Sequence, residues 1–153
     1  MKISGIISEY NPFHNGHLYQ ILQTRKNGAT HIVSVMSGNY VQRGDISVID
    51  KFNRARLAVD NGADLVIELP VIYSLSTAET FSRGAASILN SLGCVDSISF
   101  GSECGSIELL KKAAYASDYF SDSEELKVLL KRGESYPSAL QKLCHEKFGG
   151  EIS

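Results

Sequence analysis

Residues 2–28, "KISGIISEYNPFHNGHLYQILQTRKNG", decide the fold. Within the first seven, Ile3, Ile6 and Ile7 form a short β-branched apolar run interrupted by Ser4 and Gly5, which suits a strand covered on both faces. After a short turn containing Pro12, the chain takes up helical spacing. Asn15 is a good N-cap type and Gly28 a good C-cap type, so a helix is expected between them. A strand that hands over directly to a helix opens a strand–helix–strand unit.

The same handover recurs along the chain. "HIVSVMS" (31–37), "DLVIEL" (64–69) and "DSISF" (96–100) read as further strands. A second helix is expected from Asp50 as cap to Gly62 as stop, and a third in "STAETFSRGAASILNSLG", where Ser76 and Glu79 have the spacing of a capping box. "SIELLKKAAYASDYF" (106–120) is another amphipathic helix. The alternation predicts an α/β fold with a parallel sheet and helices on both faces. Right-handed crossovers then bring every strand's C-terminal end to one edge, where ligands bind near a switch in strand order. That rule selects the loops 8–16, 37–49, 69–76 and 101–106. The tail has two helical stretches, "SEELKVLLKRG" and "YPSALQKLCHEKFG", with no strand between them; Pro137 falls where a first-turn proline is tolerated. The expected organisation is a nucleotide-binding α/β domain over 1–120 and a helical extension over 121–153.

Composition narrows the function. The chain has 153 residues and a formal net charge of −2, so no global basic field points to nucleic acid, and any RNA contact must be local or lie elsewhere. Cys94, Cys104 and Cys144 are odd in number and lack C-x-x-C spacing, which fits a reducing cytoplasm better than a disulfide framework. The opening residues are too polar for a signal-peptide core, and no stretch approaches the ~20 apolar residues of a membrane span. A cytoplasmic protein with no membrane partner is expected.

"HNGH" (14–17) is the stretch with chemistry in it. A helix start presents backbone N–H groups and a positive dipole end, which attract phosphate. Gly16 lacks a Cβ, so an anion can approach the backbone there. His14 and His17, three apart, could both donate hydrogen bonds to it. Two plainer readings stay open on these four residues alone: a metal site, although H-E-x-x-H spacing and a third ligand are absent, and a helix cap with incidental histidines. His31 and His145 are read as structural.

With its context, "NPFHNGH" after a first strand resembles the H-x-G-H signature of the nucleotidyltransferase superfamily, and with it a Rossmann-like nucleotidyltransferase fold. More narrowly, "GIISEYNPFHNGHLYQI", "VSVMSGNYVQRGD", "KFNRARLAVDNGADLVIELP" and "SFGSE" together resemble the bacterial tRNA(Met) cytidine acetate ligase family. The resemblance implies ATP-dependent activation of acetate as acetyl-adenylate, then acetyl transfer to N4 of the wobble cytidine of elongator tRNA(Met). It implies ATP contacts along Ile7, Ser8, Glu9, Tyr10, Asn11, Pro12, Phe13, His14, Asn15, Gly16 and His17, and at Gly101 after the fourth strand. Tyr10 and Phe13 either pack over the nucleotide or line the core. Mg2+ is expected with ATP. Arg43 either suits bidentate binding of acetate or the γ-phosphate or sits on a solvated surface loop; His14, His17 and Arg43 form the expected catalytic set. Asp45 is read either as a magnesium ligand or as a turn acid. Lys51, Arg54 and Arg56 lie on a helix; Lys51 and Arg54 are read as facing phosphate or tRNA, or simply solvent. Family members are longer, so the chain is expected to match their N-terminal domain. The alternatives carried are another adenylyltransferase of the superfamily and a non-catalytic nucleotide-binding fragment.

Overall fold

A computed structural model describes residues 1–102 and 105–148, apart from the side chains of Arg43 and Phe148. The chain forms two compact units, Met1–Gly101 and the residues from Ser102 onward. Glu103 and Cys104, in the last of the four selected loops, lie outside the described residues.

The first unit runs β1 (Ile3–Ser8), α1 (Asn15–Lys26), β2 (His31–Ser37), a 3-10 turn (Gln42–Gly44), α2 (Lys51–Asp60), β3 (Leu65–Leu69), α3 (Val71–Ser74), α4 (Ala78–Ser91) and β4 (Ser97–Ser99). The four strands lie in the order β3-β2-β1-β4, and every pairing is parallel. Ile3 pairs with His31 and Ser8 with Met36, so odd-numbered residues of both strands share a face. On that face Ile3, Val33, Val35 and Leu69 pack against Phe81, Ala85 and Leu89 of α4. Gly5 makes the approach possible, since a Cβ there would sit 2.6 Å from Leu89 Cδ1. The other face carries Ile6 and Ile32 against Ile21 of α1, and Met36 against Ala58 of α2. Both faces are covered, as the near-continuous apolar strands require.

Helix ends explain where the sequence reading holds and where it slips. Asp50 caps α2 as expected, its carboxylate accepting from the Phe52 and Asn53 amides. Gly62 follows α2 with φ +109°, the left-handed conformation that ends helices. The cap of α1, however, is His14 and not Asn15. The cap of α4 is Thr77, which accepts from the Thr80 amide at 3.3 Å, so the expected Ser76–Glu79 box does not form. The cause is α3, a single turn the sequence reading lacks. It starts after Pro70, whose carbonyl accepts from the Tyr73 amide, and it draws Ser76 Oγ back to the Ile72 carbonyl at 2.6 Å. Glu79 pairs instead with Arg83.

The second unit is three helices, α5 (Ile107–Phe120), α6 (Glu124–Lys131) and α7 (Tyr136–Phe148). Ser106 and Ser123 cap α5 and α6, and Pro137 falls in the first turn of α7. Ala116 and Phe120 of α5 share a core with Leu126, Ala139, Leu143 and Cys144. By its packing α5 therefore groups with the tail helices, whereas the sequence reading placed it with the sheet. Burial pushes the Cys144 thiol pKa up, which keeps it in the unreactive thiol form. Among the described residues, no helix is long and apolar enough to cross a membrane.

Candidate nucleotide-binding site

From β1 the chain moves outward to β2 and β3, then crosses back to place β4 on the other side of β1. The order therefore switches between β1 and β4, and the crevice at their C-terminal ends is where such sheets bind ligands. The β1–α1 loop lies at this edge, as do the end of β4 and Gly101. Gln20 of α1 donates to the Ser99 carbonyl at 3.0 Å, and Thr24 Oγ1 lies 2.6 Å from Ser99 Oγ. These bonds fix α1 against the end of β4, two residues before Gly101. Gly101 is exposed, and a Cβ there would meet nothing within 4 Å.

The β1–α1 loop is anchored by Tyr10. Its backbone sits at φ 47°, unusual for a residue with a side chain. Its ring is 1% exposed among Met36, Ala58 and Ala63, and its hydroxyl lies 2.9 Å from Ser34 Oγ. Of the two readings for Tyr10, the ring lining the core is the one found. Phe13 is half-buried beside it, with ring centroids 5.1 Å apart.

His14 and His17 cap the helix reciprocally. His14 Nδ1 accepts from the Gly16 amide at 3.1 Å, and His17 Nδ1 accepts from the His14 amide at 3.2 Å. The two rings stack with centroids 3.8 Å apart, and Tyr10 meets His17 edge-on at 4.9 Å. An imidazole that accepts at Nδ1 carries its neutral-form proton on Nε2. Both rings thus present an Nε2–H donor on the side away from the helix backbone. Burial, and secondarily the charge of His14, hold the His17 pKa below its ordinary value. The lowered value favours the neutral, Nε2–H form of His17.

This geometry changes the reason for the glycine. The Gly16 N–H is taken by His14, and the His17 and Leu18 N–H groups by the His14 carbonyl. A Cβ on Gly16 would lie 2.9 Å from His14 Cε1. Gly16 leaves room for the capping imidazole, and the donors facing outward are largely side-chain rather than backbone.

Arg54 is the residue sequence reasoning misjudged. It faces neither phosphate nor solvent: it is fully buried. Its guanidinium donates to the carbonyls of Ile49 (2.9 Å), Ser37 (3.1 Å), Glu9 and Gly38. Burial lowers its pKa, opposed by Glu9, Asp50 and Glu68, yet a guanidinium stays charged. Arg54 thereby ties together the ends of β1 and β2 and the start of α2. Glu9 Oε1, accepting from the Gln42 amide at 2.7 Å, and Asn11 Oδ1, accepting from the Val48 amide at 2.7 Å, complete the tie. The usable signal was Ala58, four residues on and on the same helical face.

Lys51, unlike Arg54, stays part-exposed and pairs with Glu68 at 2.7 and 2.9 Å, while Arg56 is exposed. The Arg43 side chain lies outside the described residues; its backbone sits in the 3-10 turn. Asp45 is exposed, and its carbonyl accepts from the Val41 amide. Among the described residues no three His, Cys, Asp or Glu side chains gather as a metal site. Ser8 Oγ and Ser37 Oγ, at the ends of β1 and β2, are buried without a hydrogen-bond partner among those residues.

Known proteins match the chain over nearly its whole length. The family described as HIGH Nucleotidyl Transferase matches residues 1–152. The tRNA(Met) cytidine acetate ligase of Alkaliphilus metalliredigens is 48% identical over 154 residues, covering 99% of this chain and 36% of that protein. That of Clostridium kluyveri is 50% identical, covering 95% and 38%. A crystal structure of apo Thermotoga maritima TmcAL superposes with a TM-score of 0.85 at 40% identity, covering 97% of this chain and 36% of that one. A second crystal structure of that protein, bound with alpha-thio ATP, matches equally. The chain spans little more than a third of the length of the curated relatives it matches.

Proposed function

The chain belongs to the HIGH nucleotidyl transferase family, and from that premise we propose that it activates acetate with ATP for transfer to tRNA. Acetate attacks the α-phosphorus of ATP, pyrophosphate leaves, and the acetyl group of the resulting acetyl-adenylate passes to N4 of the wobble cytidine of elongator tRNA(Met). The similarity to tRNA(Met) cytidine acetate ligases supports the choice of reaction, and the relative bound with alpha-thio ATP supports the nucleotide.

The observation that carries the reading is the stacked, reciprocally capping His14–His17 pair at the switch point of the sheet. Two Nε2–H donors held by backbone bonds need no reorganisation when charge builds on the phosphate oxygens. Adenylate formation needs mainly positioning and charge stabilisation. Acetate is already ionised near neutral pH, so no general base is required. In this reading the segment Ile7–His17 wraps the phosphates, with Tyr10 contributing backbone only, and Gly101 admits the adenosine. Arg43 holds acetate or the γ-phosphate. Mg2+ enters with the nucleotide, held chiefly by ATP phosphates as is usual for this ion, with Asp45 a candidate side chain.

The test is mass spectrometry of elongator tRNA(Met) after incubation of the intact gene product with ATP and acetate. N4-acetylcytidine at the wobble position is expected. Pyrophosphate release that ignores acetate would instead favour another adenylyltransferase activity.

A further inference from the structure

A cleft opens at the C-terminal edge of the sheet, beside β3. It has a volume of about 220 Å³ and is lined by Gly38, Asn39, Tyr40, Lys51, Glu68 and Val71. Its floor is the Lys51–Glu68 pair, with side-chain exposures of 28% and 49%. The Glu68 carboxylate lies directly on the Gly38 backbone, where a Cβ would overlap Oε1. Asn39 Oδ1 accepts from the Lys51 amide at 3.0 Å, fixing the residue that carries the cation. Tyr40 and Val71, about half exposed, form apolar walls.

We propose that this cleft is the acceptor-base subsite and takes a cytosine. The assignment rests on the acetate-transfer reading above. An ammonium beside a carboxylate is a poor site for a simple anion, because Glu68 repels it, and a poor one for a metal, because Lys51 does. It matches a flat ring whose edge sets a donor next to an acceptor. Cytosine offers that edge: its exocyclic N4 amine donates to Glu68, and N3 and O2 accept from Lys51. Uracil places an acceptor at C4 and a donor at N3, which reverses both contacts. A cleft below the roughly 300–1,000 Å³ of drug-sized pockets suits a single extruded ring, and Tyr40 offers a face for stacking.

The location fits the chemistry. Glu68 stands at the end of β3, paired with Met36 of β2, so its strand is two places from β1. At about 4.8 Å per strand, that is ~10 Å along the edge from the loop that carries the histidines. In the transfer step the N4 lone pair attacks the acetyl carbonyl carbon of acetyl-adenylate. The new C–N bond forms, the C–O bond to the AMP phosphate breaks, and one N4 proton passes to Glu68. AMP and N4-acetylcytidine are the products.

Binding of fluorescent anticodon stem-loops with C or U at the acceptor position tests this directly in the intact gene product. The unaltered protein is expected to prefer C about tenfold, and Glu68→Gln and Lys51→Met to reduce that preference below twofold. In both variants acetyl transfer should fall at least tenfold more than acetate-dependent ATP–pyrophosphate exchange. A preference for C that survives both substitutions, or its absence from the unaltered protein, overturns the assignment. So does equal loss of transfer and exchange, which would place the pair in the ATP site. Loss of C preference in the variants, together with exchange that ignores acetate, would support the cytosine site while refuting acetate activation.

Discussion

The two edges of the sheet are finished in opposite ways. At the N-terminal edge, side chains close the strand ends. Asp96 accepts from the Ile3 amide and Asp64 from the Ile32 amide, both at 2.7 Å, and Thr30 Oγ1 accepts from the Lys2 amide at 2.8 Å. Asp64 is itself held by Arg25. At the C-terminal edge, the tie lies behind the surface, in the buried Arg54, and the front is left to two imidazoles and a lysine–glutamate pair, with the Ser8 and Ser37 hydroxyls beneath, buried without a partner among the described residues. One edge closes its strand ends with side chains, and the other leaves polar side chains in front of its tie. Bonds that face backbone stabilise; bonds held from behind leave chemistry in front.

Breaking the hidden tie should have the largest effect. Arg54→Met leaves four carbonyls without their cation and is expected to cost about 3–5 kcal/mol in denaturant unfolding, in the range for a disrupted buried charged network. Gly16→Ala sharpens the contrast at the open edge. Its Cβ displaces the His14 ring, so exchange activity should fall about ten- to hundredfold, while stability drops by no more than the ~1 kcal/mol of a lost cap. Asp96→Ala acts on the closed edge and should cost about 1–2 kcal/mol, measured by thermal unfolding, with ATP affinity unaltered.

The smallest effect is on pH. His17 has a folded pKa below its ordinary 6.5, so below that pH the unfolded chain binds more protons than the folded one. Stability from this group is present above 6.5 and is lost as pH falls through the lowered value. The melting temperature should therefore decline slightly below pH 6.5, and His17→Gln should flatten that decline.

Much of this was legible in the chain itself. The apolar runs give the strands, and Asp50 and Gly62 bracket α2, because strand burial and helix termination are local in origin. His14 escaped as a cap because histidine is not a preferred cap type; its role depends on Gly16 and His17 being where they are. Arg54 escaped because its partners are carbonyls from Glu9, Ser37, Gly38 and Ile49, brought together only by the fold. The Lys51–Glu68 pair spans seventeen residues, from the start of α2 to the end of β3, so no local spacing reveals it. At the candidate site the residue types were readable, and the direction of their bonds was not.

In the proposed reaction the His14–His17 pair promotes acetate activation through its outward Nε2–H donors. The most direct measurement is acetate-dependent ATP–pyrophosphate exchange by the intact gene product carrying His14→Ala and His17→Ala, separately and together. Each single change should lower the rate about 10²–10³-fold, the usual loss for one preorganised donor to a charged transition state, with unfolding shifted by only ~1 kcal/mol. Exchange at the unaltered rate in the double variant would contradict the account.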